Sequence, residues 1–244
     1  MIPGIFRLDE KNPEAKNSKY AGVLEGDILR EFIDESRPII SDISDFCQLT
    51  WAQYAQHYGV PTRLLDWTSN PLCALYFACA YNDKPGIIWA LNKTKYVREF
   101  NQNDISPSDF FDKVLCEITD PTYEFPIITK APIIDARISA QDSYSMVWGT
   151  NEKPLDELLP DRYRMSLDSR SLNDMKNNQG VELYHKFLVP RGTKKKYILR
   201  ELDTLGVNRK TLFPGLDGIG QYIERRNRFD LEEHVNAMNQ KVAN

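Results

Sequence analysis

Apolar positions along residues 25–37 recur at helical spacing: Ile28, Leu29, Phe32 and Ile33 share one face beside Glu25. Phe46, Leu49, Trp51, Tyr54 and Tyr58 predict a second helix, which Gly59 and Pro61 would end. Pro71 suits the first turn of a third helix, Leu72 to Tyr81, apolar nearly all round and therefore expected to be buried. After Lys84-Pro85, the continuous run Gly86-Ile87-Ile88-Trp89-Ala90-Leu91 reads as a buried strand. Arg137 to Trp148, with Ile138, Ala140 and Met146 in imperfect alternation, and Val181 to Val189 read as two more strands. Pro190-Arg191-Gly192 turns out of the last one into amphipathic helices over Thr193 to Leu205 and Leu216 to Arg228. Residues 92–130 are mixed and read as a variable insert, and the polar stretch 149–180 as a surface loop.

Helices first, then widely separated strands, then helices again predict an α+β domain, a mixed sheet with flanking helices spanning 1–244 as one unit. Hydrophobic residues at 41% and charged residues at 27% are ordinary for a folded chain. A net charge of −4 supplies no global field that would gather nucleic acid or an anionic membrane. No apolar run approaches the roughly 18 residues that span a bilayer, and the N-terminus lacks a signal peptide's basic start and apolar stretch. Cys47, Cys73 and Cys79 fall in apolar helical patterns and Cys116 outside them, with no framework spacing. They read as reduced core thiols, hence a cytoplasmic protein.

Chemistry concentrates in Gln56-His57-Tyr58-Gly59-Val60-Pro61-Thr62-Arg63-Leu64-Leu65-Asp66-Trp67-Thr68, on the connection between the second and third helices. Interleaving with Val, Leu and Trp predicts partial burial, and Arg63 and Asp66 can then partner each other. Two readings stay open. The pair either fixes the loop, with His57 capping a helix end, or it belongs to a binding site. His57, His185 and His234 are far apart in sequence and there is no Cys-x-x-Cys, so no metal site is expected.

This run, preceded by Trp51-Ala52-Gln53-Tyr54-Ala55 and continued by Ser69-Asn70-Pro71-Leu72-Cys73-Ala74-Leu75-Tyr76-Phe77-Ala78, closely resembles the signature of FRG-domain proteins. Trp89-Ala90-Leu91, Arg137-Ile138-Ser139-Ala140-Gln141 and Thr211-Leu212-Phe213-Pro214-Gly215 resemble later elements of the same family. Ile2-Pro3-Gly4-Ile5-Phe6-Arg7 resembles the stretch that follows the family's Phe-Arg-Gly motif. That motif itself is absent, and the family's Gly-x-Phe after the Gln is replaced by Ser143-Tyr144-Ser145. The resemblance therefore implies a shortened FRG domain, with an edge that a partner or residues 231–244 should cover.

FRG domains occur in defence- and toxin-like gene contexts, and their motif order resembles that of ADP-ribosyltransferases. The resemblance implies NAD as cofactor, with His57, Arg63, Asp66, Thr68 and Arg137 as its binding residues. Gln141 or Glu182 would be the catalytic group that steers an unknown macromolecular acceptor. Such cleavage needs a bidentate grip on the diphosphate and electrostatic support for an oxocarbenium ion. The alternative is a non-catalytic FRG-like module that binds a protein or a nucleic acid, the latter through Lys194, Lys195 and Lys196 beside Arg191 and Arg200, with Arg225, Arg226 and Arg228. Gly215-Leu216-Asp217-Gly218-Ile219-Gly220 lacks the Lys-Ser/Thr of a phosphate loop and reads as a turn into the last helix.

Overall fold

The computed structural model describes the chain apart from residues 8–20, 41–46, 82–83, 101, 103, 117–119, 134, 161–182 and 229–244. Phe46, Val181, Glu182 and the tail 231–244 thus lie outside the described residues. The helices are α1 (Ala21–Ser36), α2 (Gln48–His57), α3 (Pro71–Ala80), α4 (Lys93–Glu99), α5 (Pro107–Leu115), α6 (Ala136–Ala140), α7 (Leu155–Leu158), α8 (Thr193–Thr204) and α9 (Arg209–Leu212). A further helix, α10, covers residues 216–228. The strands are β1 (Leu64–Thr68), β2 (Gly86–Leu91), β3 (Ile127–Lys130), β4 (Ser143–Val147) and β5 (Tyr184–Val189). They form a three-stranded sheet in the order β1-β4-β3 and a two-stranded sheet of β2 and β5. β3 and β4 run antiparallel, with Ile127 opposite Val147 and Lys130 opposite Tyr144. The class is α+β.

Two compact units emerge from the packing. The first comprises residues 1–67, 89–132 and 144–186, the second residues 68–88, 133–143 and 187–244. The first holds two apolar clusters. In one, Leu29 of α1, Trp51 and Ala55 of α2, and Leu64 of β1 meet Phe110, Phe111 and Val114 of α5. In the other, Tyr96 of α4 packs with Met146, Trp148, Leu155 and Leu159. Cys73, Tyr76 and Cys79 of α3 build the second unit's core with Leu199 and Leu202 of α8 and Leu212 of α9.

Several expectations are corrected. Arg137 to Trp148 is not one strand: Asp135 Oδ1 accepts from the Arg137 and Ile138 N–H groups and starts α6, and the chain reverses at Asp142 (φ 51) before β4. A side-chain cap decided this locally, against the apolar alternation. β2 has the expected bounds but is not buried, since Ile87 is 56% exposed. The stretch 149–180 is not all surface loop, because Leu155 and Leu159 are fully buried. Cys47 precedes α2 and is exposed, whereas Cys73 and Cys79 are buried. Residues 92–130, read as an insert, supply the fully buried Tyr96, Phe110 and Phe111.

Candidate functional site

The motif begins where α2 ends. Gly59, at φ +91, takes the left-handed turn that a side chain would resist, and the chain enters β1 through Thr62 and Arg63. Arg63 and Asp66 are not partners. Arg63 turns inward: its Nε donates to Glu25 Oε2 at 2.6 Å, and its main-chain N–H donates to Oε1 of the same carboxylate at 2.6 Å. Asp66 is exposed and accepts from Gln56 Nε2 at 2.8 Å. Alternation along the strand separates the two, so the latter part of what reads as a loop is β1. The Ile5 N–H donates to Thr62 O, and the Arg63 guanidinium lies 6.0 Å from the Phe6 ring centre, which ties the Ile2 to Arg7 stretch to this turn. His57 closes α2 with its ring edge-on to Tyr58 at 5.1 Å.

The remaining recognised residues meet in the second unit. Thr68 Oγ1 donates to Gln141 O at 2.6 Å and accepts from the Asn70 N–H at 3.0 Å. Asn70 Oδ1 then caps α3 by accepting from Leu72 and Cys73. The Gln141 side chain is buried and donates through Nε2 to Leu212 O at 2.9 Å. Phe213 receives two guanidiniums, Arg137 at 4.7 Å and Arg209 at 3.5 Å from its ring centre. Thr68, Arg137 and Gln141 are therefore assembled together, mainly by bonds that hold the fold. Burial pushes the Cys73 thiol up, and Asp142 adds to this against a hydrogen bond from Thr68. No nucleophilic thiolate is favoured there.

Over residues 1–86 the chain matches the FRG domain. No curated protein and no solved structure matches it. The FRG match thus takes in α1 to α3 and the whole run from Trp51 to Ala78, and ends as β2 begins.

One side chain of the FRG segment leads to a feature that the sequence analysis did not single out. Tyr76, on α3, lines two cavities of the second unit, of ≈ 280 Å³ and ≈ 490 Å³, which share Arg209 and Arg225. Cavities of this order hold small ligands. The smaller adds Asp203, Asn208 and Tyr222, and the larger adds Lys196 and the ion pair of Arg228 with Glu224. Arg209 Nη1 donates to the Tyr81 hydroxyl at 3.2 Å, while its Nε is buried with no partner among the described residues. Burial pushes the Tyr76 phenol up, against the nearby Arg225 and Arg209 charges and a hydrogen bond with Arg225, so the hydroxyl keeps its proton. In the sequence the cleft shows only as Arg209 before the Thr211 to Gly215 element and as Lys196, Arg200, Arg225, Arg226 and Arg228, basic residues that read there as a nucleic-acid patch.

Of the basic trio on α8, Lys194 and Lys196 are exposed but Lys195 is buried at 4% exposure, which removes it from any surface patch. Among the described residues no group of three His, Cys, Asp or Glu side chains can hold a metal ion, and no helix is long and apolar enough to cross a membrane.

Proposed function

We propose that this protein is a nucleotide-binding effector whose ligand phosphates are held at Arg209 and Arg225. The supporting observation is the state of Arg209. It is positioned by the Phe213 ring and the Tyr81 hydroxyl, with no carboxylate among its partners in the described residues, and its Nε is left buried and unmatched. A guanidinium held in this way keeps its charge for an anionic ligand, and its planar fork fits phosphate oxygens. The neutral Tyr76 hydroxyl adds a donor beside it.

NAD fits the same cleft through its diphosphate, and ADP-ribosyl transfer to a macromolecular acceptor is the enzymatic form of this proposal. When bound, NAD would supply the glycosidic bond that breaks. Arg209 and Arg225 would grip the diphosphate, and Tyr76 would donate to it. Gln141 is a poor choice for the catalytic group, since its amide is bound to Leu212 O, and Glu182 lies outside the described residues. The cytoplasm as location, and a role in conflict between bacteria and phage, belong to the proposal through the free buried thiols Cys73 and Cys79 and the FRG resemblance.

Calorimetric titration of the full chain with ADP, ADP-ribose and NAD tests this reading, with free nicotinamide followed in the NAD arm. Binding is expected, and Arg209→Ala should weaken it about tenfold or more, the loss of about 1.4 kcal/mol. No heat with any of the three, from folded protein at high concentration, would overturn the proposal. Binding without nicotinamide release would make the chain a non-catalytic binding module.

A further inference from the structure

The smaller cavity contains an acid that a simple phosphate site would not need. Asp203 of α8 lines it together with Arg209 and Arg225. Its Oδ1 accepts from Asn208 Nδ2 at 2.7 Å and its Oδ2 from the Tyr222 hydroxyl at 3.2 Å. Both donors are uncharged groups, an amide and a phenol, and they orient the carboxylate. Each carboxylate oxygen takes about two hydrogen bonds, so each keeps acceptor capacity toward the cavity. Asn208 is itself fixed: it is 8% exposed, and its Oδ1 accepts from the Thr211 N–H at 3.0 Å.

A bare carboxylate repels phosphate but accepts strongly from hydroxyls. The cavity that holds Asp203 meets the larger one at Arg209 and Arg225, and each sets one acid among basic side chains, Asp203 beside Arg200 and Arg226 in the smaller and Glu224 beside Lys196 and Arg228 in the larger. Glu224 is already paired with Arg228, whereas Asp203 is bonded to the uncharged Asn208 and Tyr222. We infer that the cleft selects a ribonucleotide, with its phosphates at Arg209 and Arg225, which both cavities share, and its ribose hydroxyls donating to Asp203. This rests on the nucleotide-binding reading and names the part of the ligand that the acid recognises.

The test compares ADP, 2′-deoxy-ADP and inorganic pyrophosphate by calorimetry on the full chain. ADP should bind about tenfold more tightly than 2′-deoxy-ADP, the effect of one hydrogen bond to a charged group. Asp203→Asn should bring ADP close to its deoxy analogue. Pyrophosphate should bind this variant at least as tightly as it binds the unaltered protein, because a repelling charge has gone. A merely structural role for Asp203 would instead weaken all three ligands together, and that result overturns the inference. Equal binding of ADP and 2′-deoxy-ADP to the unaltered protein also overturns it, whether or not the variant folds, and leaves nucleotide binding standing. Silence with all three ligands overturns both readings.

Discussion

Arg63 and Glu25, 38 residues apart, form a two-bond ion pair with side chains only 4% and 1% exposed. The carboxylate takes both the guanidinium and the main-chain N–H of the same residue, so it clamps the entry to β1 onto α1. Removing one partner strands the other charge in the interior. Arg63→Ala or Glu25→Ala should cost about 3–5 kcal/mol. Urea unfolding of the single and double variants measures it, and an apolar double replacement should recover much of the loss. Near-native stability of either single variant would contradict a structural role.

Gln141 should behave as a bracing residue of the second unit. Gln141→Ala removes the Nε2–H donor to Leu212 O and leaves a buried carbonyl without that bond, a loss of about 1–3 kcal/mol. Denaturant midpoints should fall accordingly. A full loss of activity with unchanged stability would restore the catalytic role that family resemblance implies.

Asp112 of α5 predicts a pH effect. Burial raises its carboxyl above the ordinary value, Asp109 adds to the rise, and Oδ1 is buried without a partner among the described residues. The fold therefore favours the protonated form. Relative stability is full below the unfolded-state pKa, about 3.9, and falls as pH rises through the higher folded value. Asp112→Asn should raise the melting temperature at pH 7 and make little difference near pH 3. Equal effects at both pH values would point to packing instead of ionisation.

Gly218 lies under the chain reversal before α10. A Cβ there would overlap the carbonyl oxygen of Phe213. Since α10 carries Tyr222 and Arg225 into the cleft, Gly218→Ala should shift both and weaken nucleotide binding as well as stability, by about 1–3 kcal/mol for an overpacked contact. Calorimetry and thermal melts on the same preparation check this. Unaltered binding would show that α10 tolerates displacement.

The parts legible in the sequence are those governed by local pattern. The period of Ile28, Leu29, Phe32 and Ile33 marks α1, Pro71 marks the start of α3, and Gly59 and Pro61 close α2. Long-range pairing was not legible. Nothing near Arg63 identifies Glu25 as its partner, and the nearer Asp66 was the natural choice until strand alternation placed it on the other face. α6 was misread because its start depends on Asp135 accepting main-chain bonds, which apolar periodicity does not register. The cleft was missed for a similar reason. It forms where α3, α8, α9 and α10 meet, and none of its charged residues carries a recognisable spacing.

The larger cavity at Arg209 is basic on balance, with Lys196, Arg209, Arg225 and Arg228 beside the single acid Glu224, on a chain whose formal charge is −4. Dissolved salt acts on the two in different ways. Screening beyond about 10 Å at 0.1 M relaxes the long-range repulsion among the excess acids whatever ion supplies it. Inside the cleft, a multivalent anion held by Arg209 and Arg225 as proposed would act on them by direct contact. On the proposed reading, the second unit's resistance to unfolding should depend on anion identity, with phosphate and sulfate separated from chloride at matched ionic strength, while the first unit should respond mainly to ionic strength itself.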